Sequence, residues 1–261
     1  MATRDDFEGF YRSGEIVAQY AADAKVKDSE EGLLERFRAA GLGDASLLDL
    51  GVGGGRTTLH FAPHCREYVA VDYSPPLVEA CRDRFSGEEW AHASFEVADV
   101  RDLSRWPDGR FGFALFAGNG IDSITDAGER VGVLREVRRV LQPGGLFAVA
   151  THNLQSLPRA LRPRVDGVGG TLRSLKSVAA SLAVNPTTPL AARREHALYR
   201  DLRVGRLRWG RHFYVRPREM LRQLREAGFS DPVALDKAGQ DVPVEELDAV
   251  DRFWVYYLAR A

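Results

Sequence analysis

Asp49, Gly51, Gly53 and Gly55 occupy alternate positions in the stretch Leu47-Leu48-Asp49-Leu50-Gly51-Val52-Gly53-Gly54-Gly55-Arg56-Thr57-Thr58. An apolar run feeds a glycine turn, and a helix-compatible stretch follows at once. Glycine admits backbone angles closed to other residues and lets a ligand approach the main chain. A helix that opens after such a turn presents unpaired N–H groups to whatever sits there. The chemistry on offer is the binding of a nucleotide-type cofactor. A second acid fits the same purpose. Asp72 ends the apolar run Tyr68-Val69-Ala70-Val71 and lies 21 residues after Gly51. In nucleotide-binding folds an acid about 20 residues past the loop accepts hydrogen bonds from the ribose. Its two oxygens can take both hydroxyls of a cis-diol.

Groups able to handle a proton cluster further on. Open α/β sheets bind ligands at the carboxyl ends of their strands. After the apolar runs Phe111–Phe116 and Leu146–Ala150, those ends offer Asn119, Asp122, Thr151, His152 and Asn153. His152 is the candidate general base, because an imidazole titrates near working pH. A packing or hydrogen-bonding role is the competing reading. His212, beside Trp209, Phe213 and Tyr214, is a second candidate of the same kind. The only cysteines, Cys65 and Cys81, have no metal-ligand spacing around them. The expectation is a reduced, cytoplasmic protein without a metal site.

These groups need elements to position them, and the periodicity supplies a set. Gly14 to Ala24 reads as a helix. Asp28 and Glu31 form a capping pair ahead of Leu33, Leu34, Phe37 and Ala40, and Gly41 closes that helix. A helix over 56–63 follows the glycine loop. Ser74 caps a helix opened by Pro75, with Leu77, Val78, Cys81 and Phe85 on its inner face. Ser94 to Val100 is a third strand with Asp99 at its end. Asp126 and Glu129 cap a helix whose inner face is Val133, Leu134, Val137 and Val140. Residues 154–210 read as an insertion with helical stretches over 172–182 and 190–202. A helix over 217–227 then precedes strands at 233–235 and 253–258.

A dinucleotide fingerprint requires a third glycine where this chain has Arg56. The acid-x-Gly-x-Gly-x-Gly spacing instead resembles motif I of the class I S-adenosylmethionine-dependent methyltransferases. Leu141-Gln142-Pro143-Gly144-Gly145, after a basic amphipathic helix, resembles the post-motif of that family. The resemblance covers roughly residues 45–153. It implies an α/β fold with a Rossmann-like, mostly parallel seven-stranded sheet, helices on both faces, a C-terminal antiparallel hairpin and a helical insertion as lid. It implies a single domain over 1–261: an N-terminal helical arm (1–44), a cofactor-binding core (45–153), the lid (154–210), and a last helix with terminal strands (211–261). The implied cofactor is S-adenosyl-L-methionine, held by Asp49, Gly51, Gly53, Gly55, Thr57, Asp72, Tyr73, Asp99, Val100, Ala117 and Asn119. Asp99 would meet the adenine amino group. In such enzymes the arm folds over the cofactor, which makes Tyr11 and Tyr20 substrate candidates beside Asp122, His152 and His212.

The acceptor is narrowed by what is missing. Base-amine methylating members carry an Asn/Asp/Ser-Pro-Pro-aromatic motif after strand four, where this chain has Ala117-Gly118-Asn119-Gly120-Ile121. No cysteine follows strand four or five, so a cytosine-carbon nucleophile is absent. The expectation is transfer of a methyl group to a nitrogen or oxygen of a small molecule. Charge keeps a rival open. Residues 151–225 hold 16 basic and 4 acidic side chains, while the rest of the chain holds 20 and 33. Such a basic stretch suits RNA phosphates, or solvated helix faces. An NAD-dependent oxidoreductase and a non-catalytic cofactor-binding protein are two further rivals. No apolar run reaches the roughly 18 residues of a membrane span, and the first residues lack the apolar core of a signal peptide.

Overall fold

In a computed structural model, which describes residues 13–27, 29–160, 163, 167–185, 194–200 and 210–261, the apolar runs become strands of one sheet. β1 (Ser46–Leu50), β2 (Glu67–Asp72), β3 (Ala93–Val97), β4 (Phe111–Phe116) and β5 (Leu141–Asn153) are parallel, in the order β3-β2-β1-β4-β5. Every residue of β1 is buried, the pattern of a parallel strand covered on both faces. Near the end of the chain, β8 (Ser230–Leu235) and β9 (Trp254–Arg260) form an antiparallel hairpin, and β9 runs antiparallel along β5 from Leu146 to His152. These seven strands are the expected sheet.

Successive side chains of a strand point to opposite faces, and the core divides accordingly. Leu48, Leu50, Val69, Val71, Phe147 and Val149 pack against α5 (Ala127–Val140) and α8 (Pro217–Glu226) on one face. Leu47, Tyr68, Ala70, Leu115 and Ala148 pack on the other against α2 (Glu30–Ala39), α3 (Arg56–Phe61) and α4 (Pro75–Arg84). α1 (Gly14–Ala22) precedes them. Asp126 caps α5 as expected, its carboxylate accepting from the Glu129 N–H at 2.9 Å. Ser74 precedes α4, but its hydroxyl makes no capping hydrogen bond. Asp28 lies outside the described residues. At the start of α2, Glu30 itself takes the Lys27 N–H at 2.8 Å.

The insertion departs from expectation. The helix over 172–182 is present within α7 (Gly167–Val184), which follows the single turn α6 (Leu157–Ala160). The second stretch, expected to be helical over 190–202, instead holds β6 (His196–Arg200), paired antiparallel with β7 (Arg211–Val215). Pairing with the next strand outweighs local helical spacing here. β7 joins the sheet through β5, with His152 opposite Tyr214 and Asn153 opposite Val215. At His152 the other edge of β5 is occupied by Trp254. β7 therefore lies on the side of β4, in the space beyond Phe116 where β4 has ended. The hairpin thus stands over the carboxyl end of β4. Among the described residues no helix is long and apolar enough to cross a membrane.

Candidate functional site

The glycine loop links β1 to α3 with Gly51, Gly53 and Gly55 at φ of 66°, 57° and 80°, conformations that L side chains avoid. Its underside is fixed by Asp49, whose Oδ2 accepts hydrogen bonds from the Thr57 hydroxyl and the Tyr68 phenol. Asp49 Oδ1 has no partner among the described residues. Burial pushes the Asp49 carboxyl up to about 6, against the two hydroxyl donors. Cys81 Sγ donates to the carbonyl of Gly53 at 3.2 Å, and burial pushes its thiol up to about 12.

A roof covers the loop. Tyr20 of α1 approaches so closely that a Cβ on Gly54 would stand 2.2 Å from the Tyr20 carbonyl carbon. The segment after α1 is latched by its own backbone carbonyls. Arg56 Nη1 donates to Lys25 O at 3.0 Å, His60 Nε2 lies 2.9 Å from Ala24 O, and Arg84 Nη1 donates to Gly54 O at 2.8 Å and to Asp23 O at 3.4 Å. Arg56 also forms a two-pronged pair with Glu30, at 2.5 and 2.7 Å. Glu30 is 1% exposed, and it takes the Tyr256 hydroxyl as well. Hydrogen bonding and charge from Glu30 raise the Arg56 pKa against the burial that lowers it. One buried cluster thus joins arm, α3 and β9.

Between loop, roof and strand ends lies a cavity of about 1060 Å³, large for the roughly 300–1,000 Å³ of small-molecule sites. Tyr73, Leu77, Asp99 and Val100 line it beyond β2 and β3. Asp72 lies at the end of β2, with Oδ2 accepting from Gly53 N at 3.0 Å and Oδ1 from Ser74 N at 2.9 Å. Burial pushes its carboxyl up to about 6, with these backbone donors opposing. Asp99 follows β3 in a loop, its Oδ1 accepting the Arg101 N–H at 3.0 Å. At the far end the wall is Lys27, Ala117, Gly118, Asn119, Leu198, Arg211 and Trp254. Lys27 Nζ stands 4.9 Å over the Trp254 ring.

The structure brings Gly51, Gly53, Thr57, Asp72, Tyr73, Asp99, Val100, Ala117, Asn119 and Tyr20 onto this one wall. Tyr11 lies outside the described residues. Asp49 and Gly55 sit behind the loop; a Cβ on Gly55 would meet the Phe85 ring at 2.3 Å. The expectation that Asp122, His152 and His212 face the acceptor is not met, because none of them lines the cavity. His152 is 2% exposed. Its ring stacks on Tyr214 at 4.6 Å and is bordered by Phe253, Trp254 and His212. Asp122 Oδ2 takes both the backbone N–H of His152, at 2.7 Å, and its Nδ1, at 2.9 Å. Asp122 Oδ1 takes the fully buried Arg130 at 3.2 Å. The β6–β7 hairpin, unforeseen in the sequence, closes over these groups. His212 touches the site indirectly, with Nε2 at 3.3 Å from Asn119 Nδ2. Sequence reading passes over Lys27, Arg211 and Trp254, none of which belongs to a local motif, and it gives Arg56 no role beyond spoiling a dinucleotide fingerprint.

Residues 47–145 match the family of the methyltransferase domain. A malonyl-[acyl-carrier protein] O-methyltransferase of Salmonella typhimurium is 31% identical over 150 residues, 56% of this chain and 53% of that protein. The chain spans about half the length of the curated relatives it matches. The CcbJ methyltransferase of Streptomyces caelestis shares the fold with a TM-score of 0.61 at 17% identity, over 94% of this chain and 96% of that one. So does the 1,6-didemethyltoxoflavin-N1-methyltransferase of Burkholderia thailandensis, crystallised with its acceptor and S-adenosylhomocysteine. Its TM-score is 0.57 at 20% identity, with 98% of this chain and 86% of that one covered. Residues 47–145 thus match a methyltransferase domain, and the chain has the fold of S-adenosylmethionine-dependent methyltransferases.

S-adenosylmethionine, the cofactor of this methyltransferase family, fits the residues present. A carboxylate has about four acceptor positions, and the Gly53 and Ser74 amides, with a further backbone contribution from Tyr73, leave Asp72 room for a ribose hydroxyl. Leu77 and Val100 give apolar walls for a flat ring, beside the polar edge of Asp99. The glycines leave the main chain of the loop open to the methionine end. Among the described residues no group of three His, Cys, Asp or Glu side chains is placed to hold a metal.

Proposed function

We propose that this methyltransferase transfers the methyl group of S-adenosylmethionine to an oxygen or nitrogen of a small-molecule acceptor, chiefly by positioning. One observation carries the reading. A single roofed cavity runs from Asp72 and the glycine loop to a separate end walled by Asn119, Leu198 and Trp254, with room for two molecules. The cofactor supplies an activated methyl group bonded to sulfonium. Asp72 holds the ribose, the latched arm excludes water, and Asn119, braced by His212, lines the path of the acceptor. Holding a nucleophile in line at about 3 Å can lower a barrier by several kcal/mol without a strong base. Among the described residues no histidine lines the wall, which suits that economy of means.

Of the 151–225 stretch, Arg218 and Arg222 are already engaged within the fold. Arg218 pairs with Asp248 at 2.9 Å, and Arg222 pairs with Glu219 at 2.6 Å and Glu226 at 2.8 Å. This favours a small acceptor over RNA. The test is incubation with methyl-labelled S-adenosylmethionine and a lysate separated into RNA, protein and small-molecule pools. Label is expected in the small molecules. Label confined to RNA would overturn the acceptor class, and failure to bind the cofactor would overturn the whole reading.

A further inference from the structure

The end of the cavity away from Asp72 is lined by two cations, and Asp23 is the carboxylate of the wall that acts on one of them, Lys27. Lys27 comes from the latched segment between α1 and α2, and Arg211 from the first position of β7. Neither side chain has an ion-pair partner among the described residues. Lys27 Nζ lies at the carboxyl end of β4, where a Cβ on Gly118 would be 3.8 Å from it, and it hangs over the Trp254 indole. Burial, and then the nearby Arg56, lower the Lys27 pKa, while Glu30 and Asp23 oppose. The carboxylates that share the cavity wall are engaged. Asp23 accepts the Lys25 N–H at 3.2 Å and faces Arg56 at 3.9 Å. Asp72 takes the Gly53 and Ser74 amides, and Asp126 caps α5. Asp99 and Glu129 both face Arg101, at 3.7 and 3.9 Å.

A protonated amine entering this end would meet two cations, and among the described residues the carboxylates of the wall are already engaged. An oxygen anion would meet two counter-charges. Building on the methyl-transfer reading, we propose that the acceptor nucleophile is an anionic oxygen, a carboxylate or a phenolate, held by Lys27 and Arg211 with its body against Trp254 and Leu198. Lys27 is then the residue that sets specificity. The step balances without a base. An oxygen lone pair forms the bond to the methyl carbon, the carbon–sulfur bond breaks with its electron pair passing to sulfur, and no proton is released. Opposite charges on acceptor and sulfonium are neutralised together, a change that a poorly solvated cavity favours. The arriving anion also holds the proton on Lys27, against the burial that otherwise loosens it.

The experiment uses the full chain and its Lys27→Met and Lys27→Arg variants, each first checked for fold by thermal melting and for binding of S-adenosylhomocysteine. Each is then supplied with methyl-labelled S-adenosylmethionine and a deproteinised small-molecule extract. Label released as volatile methanol by mild alkali identifies a carboxylate acceptor. Alkali-stable label that mass spectrometry locates in an aryl methyl ether identifies a phenolate. Either supports the proposal, and a labelled amine or ammonium product overturns it. Lys27→Met is expected to cut transfer about tenfold or more, the scale of a lost charge-assisted hydrogen bond. S-adenosylhomocysteine affinity should stay within about threefold, since one lost neutral-scale contact already costs more than that. Lys27→Arg should restore much of the transfer and move the alkaline fall of the rate to higher pH. A parallel loss of S-adenosylhomocysteine affinity in Lys27→Met would make Lys27 a cofactor contact and refute the assignment. Cofactor binding by the unmodified chain with no label transferred to any pool would overturn methyl transfer itself, and the proposal with it.

Discussion

Asp72 should make cofactor affinity depend on pH in a direction fixed by its surroundings. Burial pushes its carboxyl up from 3.8 to about 6. A ribose hydroxyl donating to the remaining acceptor position favours the ionised form, so binding returns the group towards the ordinary carboxylate range. Below pH 6 the cofactor must then displace a proton, and above it none. With a bound pKa near 4, linkage gives an S-adenosylhomocysteine affinity about tenfold higher at pH 7 than at pH 5, with nearly one proton released at pH 5. Isothermal titration in buffers of different ionisation enthalpy measures both quantities. Asp72→Asn should weaken binding by more than about 1.5 kcal/mol at pH 7 and flatten the profile. Asp49, also pushed up to about 6, lies off the cavity wall, so Asp49→Asn should keep the slope. A flat profile in the unmodified chain, or an unchanged slope in Asp72→Asn, would refute the ribose assignment. Stability without cofactor runs the opposite way. A raised folded-state pKa means that the native carboxyls hold protons more tightly than the unfolded chain does. Their contribution is full below about pH 4 and is lost as pH rises through about 6, by up to roughly 3 kcal/mol per group.

The remaining expectations concern the roof and the buried histidine. Arg56→Met should cost about 3 kcal/mol in urea unfolding, because it strands the buried Glu30 carboxylate; Glu30→Gln in the same chain should recover part of that loss, and a cost under about 1 kcal/mol would mean the pair contributes little. Gly54→Ala drives a Cβ into the Tyr20 backbone and should cost about 1–3 kcal/mol. It should weaken S-adenosylhomocysteine binding and speed tryptic cleavage after Lys25 or Lys27, and an unchanged digestion pattern would count against the latched roof. His152→Gln should lower stability by about 2 kcal/mol through its lost bond to Asp122, with turnover per folded molecule nearly unchanged. A hundredfold loss of turnover at unchanged melting temperature would put His152 in the reaction.

The parts legible in the sequence are those whose physical cause is local. β1, the glycine loop and α3 follow one another within 16 residues, from Ser46 to Phe61, and each is dictated by its own residue types. Asp72 can be placed because a strand-loop-helix-strand unit has a nearly fixed length. The misplaced groups depend on pairings across the chain. In the sequence Arg56 is only the residue that spoils a dinucleotide fingerprint, because Glu30, its partner, lies 26 positions earlier in another helix. Lys27 sits in an irregular segment where no periodicity singles it out, and its charge gains meaning only when Trp254 comes beneath it. His152 shows the effect most clearly. At the end of β5 it would have faced the acceptor had β5 stopped level with β4. β5 instead runs on to Asn153, and β7 takes the edge that β4 leaves vacant. Tyr214 then covers the imidazole. The helical spacing over 190–202 hides that hairpin, since a helix there could not supply the pairing edge. The same hairpin that removes His152 from the cavity brings Leu198 and Arg211 onto its wall. One extra pair of strands thus exchanges a base for a cation at the acceptor end. That exchange is why we propose positioning of an already ionised nucleophile, rather than proton abstraction, as the chemistry of this site.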